Sequence, residues 1–230
     1  IESALSVQKQ VISTFRKTAI NFHYEFNVRH LTNVFSGLLM SRAEQFKEPE
    51  KFVRMWCHES ERVYCDRLVN NTDIDKFKEL LSNASKKIFP QYNMARFFLQ
   101  HDPAALIFCH FASGDITDKC YDGVDNLDEL TGTLEHALKE YNDANLSMDL
   151  VLFEDACKHI CRITRIINNP SGHALLVGVG GSGKQSLSRL SAYICGYATY
   201  QIVISATYGI NDLKNDLMAM FIKAGKKQEG

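Results

Sequence analysis

One nine-residue stretch limits the folds open to this chain more than any other: Gly178-Val179-Gly180-Gly181-Ser182-Gly183-Lys184-Gln185-Ser186. Its first seven positions satisfy the G-x-x-x-x-G-K half of the phosphate-binding loop. What flanks it matters as much. Ala174-Leu175-Leu176-Val177 is a short apolar run suited to a strand buried on both faces. Leu187, Leu190 and Ile194 follow at helical spacing, with Gly196 as the stop, and Gln201-Ile202-Val203-Ile204 then predicts a second strand. Strand, turn, helix and strand make one βαβ unit, which predicts a parallel sheet covered by helices.

The residue types in the loop have a physical reason. Glycine lets the backbone wrap closely around phosphate, so the N–H groups from about Val179 to Gln185 can point inward. A helix starting near Lys184 aims the positive end of its dipole at the same anion. The Lys184 ammonium adds a full charge for the β- and γ-phosphates. Gly178, Val179, Gly180, Gly181, Ser182, Gly183, Lys184, Gln185 and Ser186 are therefore the candidate binding residues.

Two departures bear on chemistry. The position after the lysine ordinarily holds Ser or Thr, whose hydroxyl binds Mg²⁺. Here it is Gln185, a poorer magnesium ligand, and Ser186 one place on is the candidate metal-binding hydroxyl. Phosphate binding survives this change, because backbone amides and Lys184 supply most of the attraction; hydrolysis depends more on metal placement. Moreover, no hydrophobic strand ending in acid follows the loop. Leu150-Val151-Leu152-Phe153-Glu154-Asp155 lies upstream inside a helical pattern, where its acids are expected as dipole partners of a first turn. Only two sheet strands are legible after Pro170, and Lys223, Lys226 and Lys227 are expected on a solvated face.

Composition narrows the alternatives. Among 230 residues, 45% are apolar and 23% charged, the balance of an ordinary globular chain. Lys and Arg number 26 against 27 Asp and Glu, which supplies no basic footprint for nucleic acid. The longest apolar runs, Ala104–Phe108 and Ala174–Val179, fall far short of the roughly 20 residues of a membrane helix. The opening Ile1-Glu2-Ser3-Ala4 is no signal peptide, and it suggests a piece of a longer chain. Seven cysteines without a Cys-x-x-Cys pair fit reduced core thiols of a cytosolic compartment better than a disulfide framework or zinc ribbon. Cys157 and Cys161 share a helix face, for which packing is expected rather than metal. His58-Glu59-Ser60-Glu61-Arg62 begins like a zincin helix, but Arg62 stands where the second His is required.

The first hundred residues read as helices. Leu31, Val34, Phe35 and Leu38 follow Asn27 as N-cap, and Phe52, Trp56, Val63 and Tyr64 follow Pro49 at a first turn. Thr72 and Asp75 are expected to cap the helix carrying Ile74, Phe77 and Leu81. Pro90, Pro103, Gly114 and Gly123 break a loop-rich segment. Helical period returns from Asp125 through Tyr141, and again from about Asp149 to Ile167, ending before Asn169-Pro170.

Taken together, Leu150–Ala156, Gly178–Arg189 and Tyr208-Gly-Ile-Asn-Asp-Leu213 closely resemble the fourth AAA+ module of dynein heavy chains. The Lys-Gln-Ser form of the loop resembles axonemal rather than cytoplasmic dynein. Phe22-His-Tyr-Glu-Phe-Asn-Val-Arg-His-Leu31, with Val34-Phe35-Ser36-Gly37, is similar to the lid of the third module. The resemblance implies an α/β fold class: a helical AAA+ lid followed by an incomplete P-loop NTPase (AAA+) large subdomain with parallel strands. It implies lid and linker of module three over residues 1–103 and the N-terminal part of module four over 104–230. It places Arg29 where the lid's sensor arginine reaches the nucleotide of module three, with His30 where many relatives have Asp. The implied ligands are ATP or ADP, with Mg²⁺ as the accompanying ion, in a regulatory site not expected to hydrolyse ATP on its own. The implied partners are the remaining AAA+ modules, other dynein chains and, through the parent molecule, microtubules, in the cytoplasm, the cytoskeleton and the axoneme of a cilium or flagellum; nucleic acid and membrane are not among them.

Two other readings remain open from the residues alone. A small P-loop kinase carries the same loop, but usually near its start, with acceptor and lid residues following; here three quarters of the chain precedes it. A structural wedge between modules, with little nucleotide response, accommodates Gln185 and the missing acid.

Overall fold

The computed structural model describes residues 1–98, 106–170 and 172–226. They divide into two compact units, residues 1–133 and 134–230. The expected module boundary at 103/104, like Pro103 and Lys227, lies outside the described residues.

Four helices dominate the first unit: α1 (Glu2–Thr14), α2 (Val28–Leu38), α3 (Pro49–Tyr64) and α4 (Asn71–Ile88). Their apolar stripes converge on one core that includes Val11, Phe15, Val34, Trp56, Tyr64, Phe77 and Leu81. Each such side chain contributes about 1.5–3 kcal/mol through burial. Phe52, expected in that stripe, stays 43% exposed. The helix starts follow local chemistry. Asn27 caps α2, its Oδ1 accepting from Arg29 N at 3.0 Å, and His30 Nδ1 accepts from Asn27 N at 3.0 Å. Pro49 opens α3, where its missing N–H costs nothing. The cap of α4 is Asn70 rather than Thr72: Asn70 Oδ1 accepts from Asp73 N at 2.8 Å, so the expected Thr72–Asp75 pair has moved two residues upstream. A two-stranded antiparallel hairpin, β1 (Phe108–Cys109) with β2 (Asp122–Gly123), completes the unit and buries Phe108 and Tyr121 in the same core.

In the second unit, α6 (Glu154–Asn168) packs on α7 (Lys184–Cys195), and α8 (Ile210–Phe221) follows. Helix α5 (Leu127–Ala144) runs through the division between the units. Ile160, Cys161, Leu187, Leu190 and Cys195 are among the buried residues of α6 and α7. Cys157 and Cys161 belong to that packing face. Helix α6 begins five residues later than the period from Asp149 suggests: Asn142 exchanges hydrogen bonds with Met148, Oδ1 accepting from N at 2.8 Å, and this ties residue 148 to the end of α5. Glu154 and Asp155 then fall in the first helical turn, as dipole partners. At the other end Asn169, before Pro170, is extended.

The expected parallel pair is not formed among the described residues. Neither Ala174–Val177 nor Gln201–Ile204 joins a ladder, and Leu175 and Val203 are 90% and 75% exposed. The physical reason is that parallel strands draw their stability from neighbours on both edges and cover on both faces, and two four-residue runs supply neither.

Candidate functional site

The loop from Gly178 to Gly183 runs directly into α7, whose first residue is Lys184. Two glycines shape it. Gly181 and Gly183 both sit at φ +75°, the left-handed region where a Cβ is penalised. Gly183 is also the N-cap of α7 and has no side chain to cap it, so no side chain satisfies the first amides of the helix. Among the described residues, chain neighbours apart, no atom lies within 4 Å of where a Cβ at Gly180, Gly181 or Gly183 would project. That side of the loop is open to a ligand.

Lys184 closes the loop from the other side. Its Nζ donates to the carbonyl oxygens of Gly178 at 2.9 Å and Val179 at 2.6 Å, and to Ser182 Oγ at 3.1 Å. One ammonium thus gathers three oxygens of its own loop, which sets the loop's curvature and holds the positive charge at the helix N-terminus. Its three donors match that number, so an arriving anion must compete with loop oxygens for them. Gly178, Gly180, Gly181, Ser182 and Gln185 are exposed, whereas Gly183 and Ser186 are half-buried. A phosphate tail fits this donor set of loop amides, an uncapped helix N-terminus and one ammonium. A divalent ion would have Ser186 as its hydroxyl ligand.

Arg29 belongs to the first unit, in the opening turn of α2, and its side chain is exposed. His30 behind it is buried and takes the role an acid usually plays at that helix position, accepting the N-cap amide. Desolvation, followed by the charge of Arg67, lowers the His30 pKa from its usual 6.5 and favours the neutral, accepting ring.

Sequence reasoning missed a second polar arrangement, in the second unit. Asp216 of α8 accepts from Tyr200 Oη at 2.7 Å and from Tyr208 Oη at 2.6 Å, and Arg189 Nη2 donates to Gln201 Oε1 at 2.5 Å. These bonds pin the second extended run to α7 and α8. Tyr208 precedes α8 and Asp216 lies within it, so the pair belongs to no single periodic element and no pattern announced it.

Comparison with known proteins gives two family models and a set of long relatives. Residues 1–96 match the "AAA+ lid domain", and residues 148–230 match "P-loop containing dynein motor region D4". The chain is 56% identical over 230 residues to the dynein alpha chain of the flagellar outer arm of Chlamydomonas reinhardtii, covering 100% of this chain and 5% of that protein. It is 48% identical over 227 residues to human dynein axonemal heavy chain 17, covering 99% and 5%. It is also 48% identical over 230 residues to the ciliary dynein beta chain of Tripneustes gratilla, covering 100% and 5%. The chain thus spans about 5% of the length of the curated relatives it matches.

Proposed function

The chain belongs to the dynein heavy chain family, and we propose that its loop from Gly178 to Ser186 holds the phosphate tail of ATP or ADP in a regulatory module of an axonemal motor ring. The observation that carries this is Lys184: its ammonium stands at the first position of α7, over a loop bent by two left-handed glycines. Loop amides and Lys184 bind the tail; the remaining surface of the loop is free for it. Mg²⁺, when present, neutralises phosphate charge, and Ser186 is the hydroxyl this chain offers it. Lys184 must exchange contacts with Gly178 and Val179 oxygens for phosphate oxygens. Binding then releases the loop's own clamp, and this is how occupancy would reshape the start of α7.

Residues 1–103 are proposed as the lid and linker of module three, and 104–230 as the opening part of module four. In that arrangement Arg29 serves the nucleotide of module three from the lid. The parent molecule is proposed to be the ATP-driven, microtubule-based motor, acting in the axoneme with its other modules and chains.

The test is photo-crosslinking of an azido-ATP to the parent heavy chain, mapped by peptide. Labelling on the loop should fall on the order of 10–100-fold in Lys184→Ala, the loss of a charged hydrogen-bond donor. Equal labelling of wild type and variant would contradict the assignment.

A further inference from the structure

One buried amide of α1 holds the place where α2 begins. Gln8 is 6% and Tyr64 of α3 1% exposed, so neither trades its hydrogen bonds for water without cost. Gln8 Nε2 donates to the Asn27 carbonyl at 3.0 Å, and Tyr64 Oη donates to Gln8 Oε1. The orientation of the amide follows from chemistry. A carbonyl only accepts, so the nitrogen must face Asn27, and the oxygen is left to face the phenol. Helix α1, helix α3 and the N-cap of α2 thus meet in one side chain.

Asn27 passes that hold on to Arg29. Its carbonyl also accepts from His30 N at 3.1 Å, its own N–H donates to His30 Nδ1 at 3.0 Å, and its Oδ1 accepts from Arg29 N at 3.0 Å. Phe26, the residue before it, is wedged among the rings of Phe15, His30 and Tyr64, whose centres lie 6.4, 5.6 and 6.0 Å away. The Arg29 side chain is exposed, so the reach of its guanidinium is set from where its backbone is fixed.

We propose that Gln8 is a positioning residue for Arg29: its amide, clamped by Tyr64, fixes the N-cap of α2 and with it the point from which the guanidinium reaches an anion. The joint stands on the bonds above. That the anion is the phosphate of a nucleotide at module three rests on the role proposed for Arg29. Loss of the amide does more than remove one bond, because it strands the buried phenol hydroxyl that shares it.

Two measurements on the parent heavy chain test this together: hydrogen exchange over residues 27–33, and azido-ATP crosslinking mapped to module three. Gln8→Leu should speed that exchange about tenfold and lower module-three labelling about three- to tenfold, the scale of a buried polar group left without its partner. Labelling of the Gly178–Ser186 loop should stay at its wild-type level. Gln8→Leu combined with Arg29→Ala should label no less than Arg29→Ala alone, because a residue that acts through Arg29 then has nothing left to position. Gln8→Glu keeps the shape and tests the donor. Ionised, it sets an oxygen against the Asn27 carbonyl; protonated, it donates there as the amide does. Burial raises such a carboxyl's pKa, so its module-three labelling, relative to wild type at the same pH, should rise as pH is lowered from about 9 to about 6.5, whereas that of Gln8→Leu should not. Additive losses in the double variant, wild-type exchange in Gln8→Leu, or a flat pH profile in Gln8→Glu would overturn the proposal. If Arg29→Ala labels like wild type while Gln8→Leu still speeds exchange, the joint stands and only the role of Arg29 fails.

Discussion

At the scale of single residues, two side chains do unusual work. Lys184 binds its own loop carbonyls, so its removal costs the loop both shape and charge. His30 substitutes for an acid in a capping box and can do so only while neutral. Its pKa is lowered from 6.5 by desolvation and by Arg67, against the opposing pull of Glu25. The sign follows from linkage: the unfolded chain takes up the proton first, so stability is complete above about pH 6.5 and declines as pH falls below it. Thermal unfolding of the 230-residue chain should therefore show a loss as pH falls below about 6.5 that His30→Asp largely removes. An unchanged pH profile in His30→Asp would show that the box is not the source. A second titration concerns Tyr208, whose phenol is pushed up to about 12 chiefly by donating to Asp216. In Asp216→Asn its spectrophotometric midpoint should fall toward the ordinary value near 10.

At the scale of elements, the close contact between α2 and α3 depends on Gly37. Gly37→Ala forces a methyl into the Glu59 carboxylate and should destabilise the first unit by about 1–3 kcal/mol, the range of overpacking, measured by denaturant unfolding. A change below about 0.5 kcal/mol, the range of surface substitutions, would mean the two helices slide apart freely.

What the sequence makes legible at this scale is uneven, and the reasons are physical. Helices whose start is written in one residue, Asn27 for α2 and Pro49 for α3, are readable because the cap is local. The loop is readable for the same reason, with Gly183, Lys184 and the stop at Gly196 adjacent to what they control. The start of α4 slipped to Asn70 because Asn70–Asp73 and Thr72–Asp75 carry the same spacing and only tertiary context chooses between them. Ala174–Val177 and Gln201–Ile204 read as strands from their apolar character, yet strand pairing depends on partners that no local pattern supplies. One polar stripe of α3 stayed hidden because Lys51, Arg54, His58 and Glu59 look like a solvated face until Asp122 and Tyr121, more than sixty residues on, are brought to it.

At the scale of the whole molecule, residues 1–96 match an AAA+ lid domain and residues 148–230 a P-loop containing dynein motor region. The chain belongs to the dynein heavy chain family. The account turns on one thing, that the cradle from Gly178 to Ser186 receives a nucleotide's phosphates. The most direct measurement is a density map of the parent ring at millimolar ATP, in wild type and in Lys184→Ala. Wild type should show phosphates seated against the loop amides, with Lys184 Nζ turned from the Gly178 and Val179 carbonyls toward them, and the variant should show the loop without them. A wild-type ring whose loop stays bare, with Lys184 still on its own carbonyls, would contradict the account.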